Sequence, residues 1–236
     1  MIDSSFRYTW LIWACAFMVP WTAFFIAQPM LRSIMLKASI LTAPFGLTEP
    51  LFVPEYWNPP SLFDLAQRTG FDIESLIFCF AIGGIGVVAY RSLLPGHWRG
   101  LHALRSTVGK HRFHRLALVS PFLLFALLIF AGWNPIYPSV AALVLGAVAT
   151  ITCRPELLRN SLISGAVFLV IYIVFLVGLK GLWPGYIESV WNTATLIAWQ
   201  PFGFPIEELL FAFGFGMYWS TVYEHLTWKT PLGDES

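Results

Sequence analysis

Glu74 and Glu207 each open a long apolar run, Ile73-Glu74-Ser75-Leu76-Ile77-Phe78 and Ile206-Glu207-Glu208-Leu209-Leu210-Phe211. A charge at such a point is costly unless it is paired or faces a cavity, so an ionisable group there is a functional candidate. The chemistry it suits is proton donation, because a carboxyl group in water-poor surroundings can hold a proton until a substrate takes it. The two runs read as copies of each other. A shift of 133 residues lays Gly70–Phe80 over Gly203–Phe213, and the register continues through Gly83 over Gly216, Tyr90 over Tyr223 and Leu93 over Leu226. Upstream, with one residue of slippage, Glu55-Tyr56-Trp57-Asn58 lies over the stretch from Glu188 to Asn192. Trp57, Phe78, Trp191 and Phe211 belong to the same repeat, and aromatic faces beside a carboxylic acid stabilise a transient carbocation by cation–π attraction.

Other polar and aromatic residues have simpler explanations. Asp72 and one of the pair Glu207-Glu208 read as caps, since a helix N-terminus offers unpaired amides and partial positive charge. Trp10, Trp13, Trp21, Trp133, Trp183 and Trp228 fit the aromatic belts of a membrane protein. Thr48 to Asn58, with Pro50 and Pro54 and followed by Pro59 and Pro60, reads as a rigid non-helical stretch folded over the mouth of the bundle. Glu49 and Glu55 within it could extend a proton path, although loop carboxylates accepting backbone hydrogen bonds are the preferred reading. Cys15, Cys79 and Cys153 show no CxxC or Cys/His spacing, so they are expected to be small buried apolar side chains, with no disulfide and no metal. His97, His102, His111 and His114 share a basic loop, which raises a metal or anion site. A solvated loop against anionic headgroups is the preferred reading.

These residues must be positioned by membrane helices. Of 236 residues 57% are hydrophobic and 11% charged, the formal net charge is +1 and the mean hydropathy is +0.69. That excludes an ordinary water-soluble enzyme, a basic nucleic-acid binder and a disordered chain. Seven segments approach the roughly 20 apolar residues of a bilayer span: Tyr8–Ala27, Leu31–Leu47, Phe71–Leu93, Leu116–Trp133, Tyr137–Cys153, Leu162–Leu179 and Phe204–Tyr223. With the N-terminus outside and the C-terminus inside, eleven of the fourteen Lys and Arg fall inside and only Arg7, Arg68 and Lys180 outside. The expected fold is all-α and multi-pass. Residues 1–93 form a first three-span repeat, 94–136 a basic loop and a linking span, and 137–236 a second repeat parallel to the first. The cell membrane is the expected location.

A helix opening with P-x-E-E-x-x-F, carried twice on a small multispan chain, resembles the heterodimer-type lycopene cyclases of bacteria, archaea and fungi. Pro205-Ile206-Glu207-Glu208-Leu209-Leu210-Phe211 matches that motif, while Asp72-Ile73-Glu74-Ser75-Leu76-Ile77-Phe78 has Asp72 for the proline and Ser75 for the second acid. The resemblance implies a fused pair of small membrane units that cyclise the ends of an acyclic carotene. A protonated Glu adds a proton to the terminal double bond, the C5=C6 bond attacks the cation, and a base removes a different proton. It implies Glu207 as proton donor, Glu74 or Glu208 as partner base, and Trp57, Phe78, Trp191 and Phe211 as walls of the substrate site. The chemistry is redox-neutral and calls for no cofactor, in keeping with the lack of a strand-turn-helix GxGxxG site. Its partners are an acyclic carotenoid or other isoprenoid lipid and the membrane lipids, with a homo-oligomer or a carotenoid-enzyme partner left open. The alternative is a non-catalytic carotenoid-binding or assembly subunit that keeps the cyclase fold. Two other readings fail on single positions: a CAAX-type protease needs Arg where Ala212 stands, and a retinal protein needs a lysine within Phe204–Tyr223.

Overall fold

Proline sets the breaks in the first third of the chain. In the computed structural model, which describes residues 6–93, 98–100, 113–227 and 229–231, the first span is two helices, α1 (Thr9–Ala16) and α2 (Met18–Ala27). Pro20 has no amide to give the Ala16 carbonyl, and the ladder is interrupted at Phe17. The second span is α3 (Arg32–Thr42) continued by a 3₁₀ segment, Ala43–Leu51, where Pro44 and Pro50 exclude regular α-helical bonding. The stretch expected to be non-helical from Thr48 is therefore 3₁₀ up to Leu51 and turns thereafter.

The remaining helices are α4 (Leu65–Thr69), α5 (Ile73–Leu93), α6 (His114–Leu128), α7 (Ile136–Cys153), α8 (Leu158–Leu182), α9 (Tyr186–Val190) and α10 (Ile206–Thr227). Among the described residues the only strands are the antiparallel pair β1 (Trp98–Gly100) and β2 (Lys229–Pro231). Six helical stretches are long and apolar enough to cross a membrane: Thr9–Ala27, Pro29–Leu51, Ile73–Arg91, His114–Ala131, Ile136–Cys153 and Pro155–Leu182. The seventh expected span coincides with α10, a 22-residue helix that starts with two acids and packs against α5, α7 and α8. The basic stretch carrying His97, His102, Arg105, Lys110, His111 and Arg112 lies outside the described residues.

Large apolar side chains face outward, among them Val19 and Ile26 on α2, Leu127 on α6 and Val174 on α8, as expected where the solvent is lipid. Inside, α5 and α10 are the most enclosed helices. Arg91 of α5 and Glu224 of α10, 133 residues apart, form a buried ion pair. At the opposite end Trp57 and Trp191 face each other in an antiparallel backbone bridge, with Asn58 N–H donating to the Val190 carbonyl and Asn192 N–H to the Tyr56 carbonyl, both at 2.9 Å. The 3₁₀ segment lies against α6 through two stacked ring pairs, Phe45 on Phe122 and Phe52 on Phe125, with centroids 5.7 and 6.4 Å apart.

One close approach positions the acid chemistry. A Cβ on Gly46 would sit 2.6 Å from the Leu76 backbone nitrogen and 2.7 Å from the Ser75 carbonyl carbon, so only glycine lets the 3₁₀ segment press onto the first turn of α5. That contact carries Glu49, one turn further on, to the side of Ser75.

Candidate active site

At the start of α10, the second acid of the motif turns inward. Glu208 is buried and accepts three hydrogen bonds: from the Tyr56 hydroxyl and the Trp191 indole N–H (2.8 Å) on Oε1, and from the Tyr172 hydroxyl (2.7 Å) on Oε2. The donors come from three separate elements, namely the turn after the 3₁₀ segment, the end of α9 and the middle of α8. Tyr56 stays a donor because burial, and then the neighbouring Glu208 carboxylate, push its hydroxyl well above the usual tyrosine range. An acceptor of three hydrogen bonds matches an ionised carboxylate, which has lone pairs and no proton to place.

Glu49, which lines the same cavity as Glu208, is also buried. Its Oε2 accepts a hydrogen bond from the Ser75 hydroxyl at 3.0 Å, and its Oε1 is buried with no hydrogen-bond partner. Glu49 and Glu208 line one cavity of about 170 Å³. Its walls are aromatic: Trp10 and Phe78 (centroids 5.5 Å), Phe78 and Tyr172 (6.3 Å), Tyr172 and Phe211 (6.3 Å), and Trp57 and Trp191 (5.3 Å). A second cavity of about 250 Å³, almost wholly apolar, shares Phe45, Thr48, Phe52, Cys79 and Phe211 with the first and reaches Phe122 and Phe125 of α6.

All four aromatic residues singled out in the sequence, Trp57, Phe78, Trp191 and Phe211, line the carboxylate cavity. Of the three acids only Glu208 does. Glu207 and Glu74 are fully buried but turn toward backbone. Glu207 Oε1 accepts from the Ile197 amide and the Tyr137 hydroxyl, each at 2.8 Å, and Glu74 Oε1 accepts from the Leu62 amide at 2.7 Å. Each thereby ties the irregular segment preceding its helix to that helix. Asp72 caps α5, its Oδ1 accepting the Ser75 amide at 2.5 Å. Burial raises its pKa, opposed by that hydrogen bonding.

The sequence alone leaves Tyr56, Ser75 and Tyr172 without a role and favours a plain loop carboxylate over a proton path for Glu49. A signal existed for two of them. Ser75 is the repeat partner of Glu208, so a polar group at that position already pointed inward, and Tyr56 lies within the matched stretch Glu55–Asn58.

Residues 134–226 match the family model described as lycopene cyclase. No curated protein and no solved structure matches the chain. That match supports a carotenoid-cyclase-type function for the second part of the chain, and the six helical stretches long and apolar enough to cross a membrane go with a membrane protein.

Proposed function

We propose that the chain cyclises the ends of an acyclic carotene by acid catalysis, with Glu49 as proton donor and Glu208 as the opposing base. The observation that carries this reading is that these two buried carboxyl groups share one aromatic cavity while differing in hydrogen bonding. Glu49 keeps one oxygen without a partner, from which a proton can pass to the terminal double bond. The cation that forms is attacked by the C5=C6 bond and lies among the faces of Phe78, Phe211 and Tyr172, where cation–π attraction lowers its energy. Glu208, held by three donors and anionic, stabilises that charge and takes a different proton as the ring double bond forms. One proton enters and one leaves, so no oxidant or reductant takes part. The second cavity suits the polyene that follows the reacting end.

The motif's first copy has Ser75 in place of the second acid, which favours a subunit that has lost its chemistry. Glu49 weighs against this, because Ser75 holds it where it restores a second carboxyl group to the cavity.

We further place the chain in the cell membrane as two parallel three-span units, 1–93 and 137–236, joined by 94–136, with the N-terminus outside. The distribution of Lys and Arg supports the orientation. Contacts between repeat-related positions, Arg91 with Glu224 and Trp57 with Trp191, support two copies packed about an axis along the membrane normal.

The test is expression in bacteria engineered to accumulate lycopene, with chromatography of the extracted pigments beside Glu49→Gln and Glu208→Gln. Cyclised pigment that disappears in both variants, with protein still in the membrane, supports the proposal. Unchanged lycopene from the wild type, or cyclised product from both variants, overturns it.

A further inference from the structure

At the far end of α10, about 25 Å from Glu208 at 1.5 Å per helical residue, three metal-binding side chains from three helices converge. His114 opens α6, Cys153 closes α7 and His225 lies in the last turn of α10. Each can put a ligand atom within 4.8 Å of the others. His114 and His225 are buried and their rings stack at 4.7 Å.

The hydrogen bonds fix the tautomer of each ring. His114 Nε2 lies 2.7 Å from the His225 carbonyl and His225 Nδ1 lies 2.9 Å from the Thr221 carbonyl. A carbonyl only accepts, so both of these nitrogens carry the hydrogen in a neutral ring, leaving His114 Nδ1 and His225 Nε2 as lone pairs. A ring N–H held by a carbonyl, with the lone-pair nitrogen on the other side of the ring, is how metal-ligating histidines are oriented. His225 Nε2 is buried with no hydrogen-bond partner. Cys153 Sγ lies 3.6 Å from His114 Nδ1. Bonds of about 2.05 Å to nitrogen and 2.3 Å to sulfur at a tetrahedral angle put N and S about 3.5 Å apart.

We propose that His114, Cys153 and His225 bind a thiophilic d¹⁰ metal ion, Zn²⁺ or Cu⁺, that pins together the ends of α6, α7 and α10. Two neutral imidazoles and one thiolate are a ligand set these ions share. The thiolate also offsets the ion's charge beside Arg154, whose guanidinium donates to the Glu224 carbonyl at 2.8 Å. The site is independent of the cyclisation chemistry, and its readout is metal, not product.

The experiment uses the full chain purified in detergent, stripped with chelator and loaded with Zn²⁺, with Cu⁺ under reducing conditions, or with Co²⁺ as a coloured stand-in for Zn²⁺. The expected result is about one ion retained per chain, a thiolate-to-Co²⁺ charge-transfer band, and a thermal midpoint that rises on loading. Cys153→Ser and His225→Gln should each weaken binding at least about tenfold, while Cys15→Ser and Glu208→Gln leave it unchanged. Retention of Zn²⁺ alone or Cu⁺ alone identifies the ion and supports the site. No retention of either by the wild type, or equal retention by Cys153→Ser and His225→Gln when circular dichroism shows both folded, overturns it.

Discussion

Ser75 Oγ donates to Glu49 Oε2 at 3.0 Å, so a serine standing at the repeat position of Glu208 orients a carboxyl group supplied 26 residues earlier in the chain. The two acids of the cavity therefore come from unlike places, one from the first turn of α10 and the other from a 3₁₀ segment leaning on α5. Their inequality follows from their donors, three against one.

Replacing either acid by its amide should remove most turnover. Glu49→Gln and Glu208→Gln are each expected to lower ring formation in proteoliposomes by at least about 100-fold, the lower end of what a positioned acid or base contributes. Glu55→Gln, on an exposed side chain, should change it little.

Ser75→Ala should leave the protein in the membrane and lower kcat by about tenfold, the value of one net hydrogen bond to a buried carboxyl group. Ser75→Thr, which keeps the hydroxyl, should recover most of the loss.

Glu74 and Glu207 should behave as structural acceptors. Gln at either position retains a carbonyl oxygen for the Leu62 or Ile197 amide, so Glu74→Gln and Glu207→Gln are expected to keep most activity. Ala at either position strands a partly buried amide and should cost about 1 kcal/mol in unfolding experiments.

Gly46→Ala drives a methyl group into the backbone of α5 and should destabilise by about 1–3 kcal/mol. It should also reduce ring formation more than an equally destabilising change on the lipid face of α8, because it moves Glu49 away from Ser75.

Breaking the Arg91–Glu224 pair from one side leaves a buried charge. Arg91→Met alone or Glu224→Leu alone should cost about 3–5 kcal/mol, and the double variant should recover most of it. Denaturant titration of the four proteins gives the coupling.

Local pattern was enough for the helices and for the aromatic walls. Apolar length marked the spans, and the offset of 133 residues brought Trp57, Phe78, Trp191 and Phe211 forward together. The repeat also led to Glu208, but it put Glu207 first as the partner of Glu74, and which of the two acids turns inward depends on where the Ile197 amide needs an acceptor. Glu49 stands out in the sequence only as a loop carboxylate that could extend a proton path, for a different reason. Its place depends on a backbone contact between Gly46 and Leu76, which leaves no periodic trace. Tyr172 reads as one more apolar-run residue until Glu208 is found beside it. The His114–Cys153–His225 cluster joins positions 39 and 111 residues apart along the chain, with no short-range spacing to give it away.

The two ring stacks that hold the 3₁₀ segment to α6, Phe45 on Phe122 and Phe52 on Phe125, contain no hydrogen bond between side chains and no charge. Each such pair contributes about 0.5–1.5 kcal/mol beyond the area it covers, and half-exposed Phe122 belongs to the lining of the second cavity. A seam of that strength parts by thermal breathing, and lipid tails can solvate the rings when it does. For the proposed hydrocarbon substrate, dissolved in the bilayer, such a seam would be the side of the bundle that yields most readily. Turnover would then follow the fluidity of the surrounding lipid as well as the chemistry of the acids.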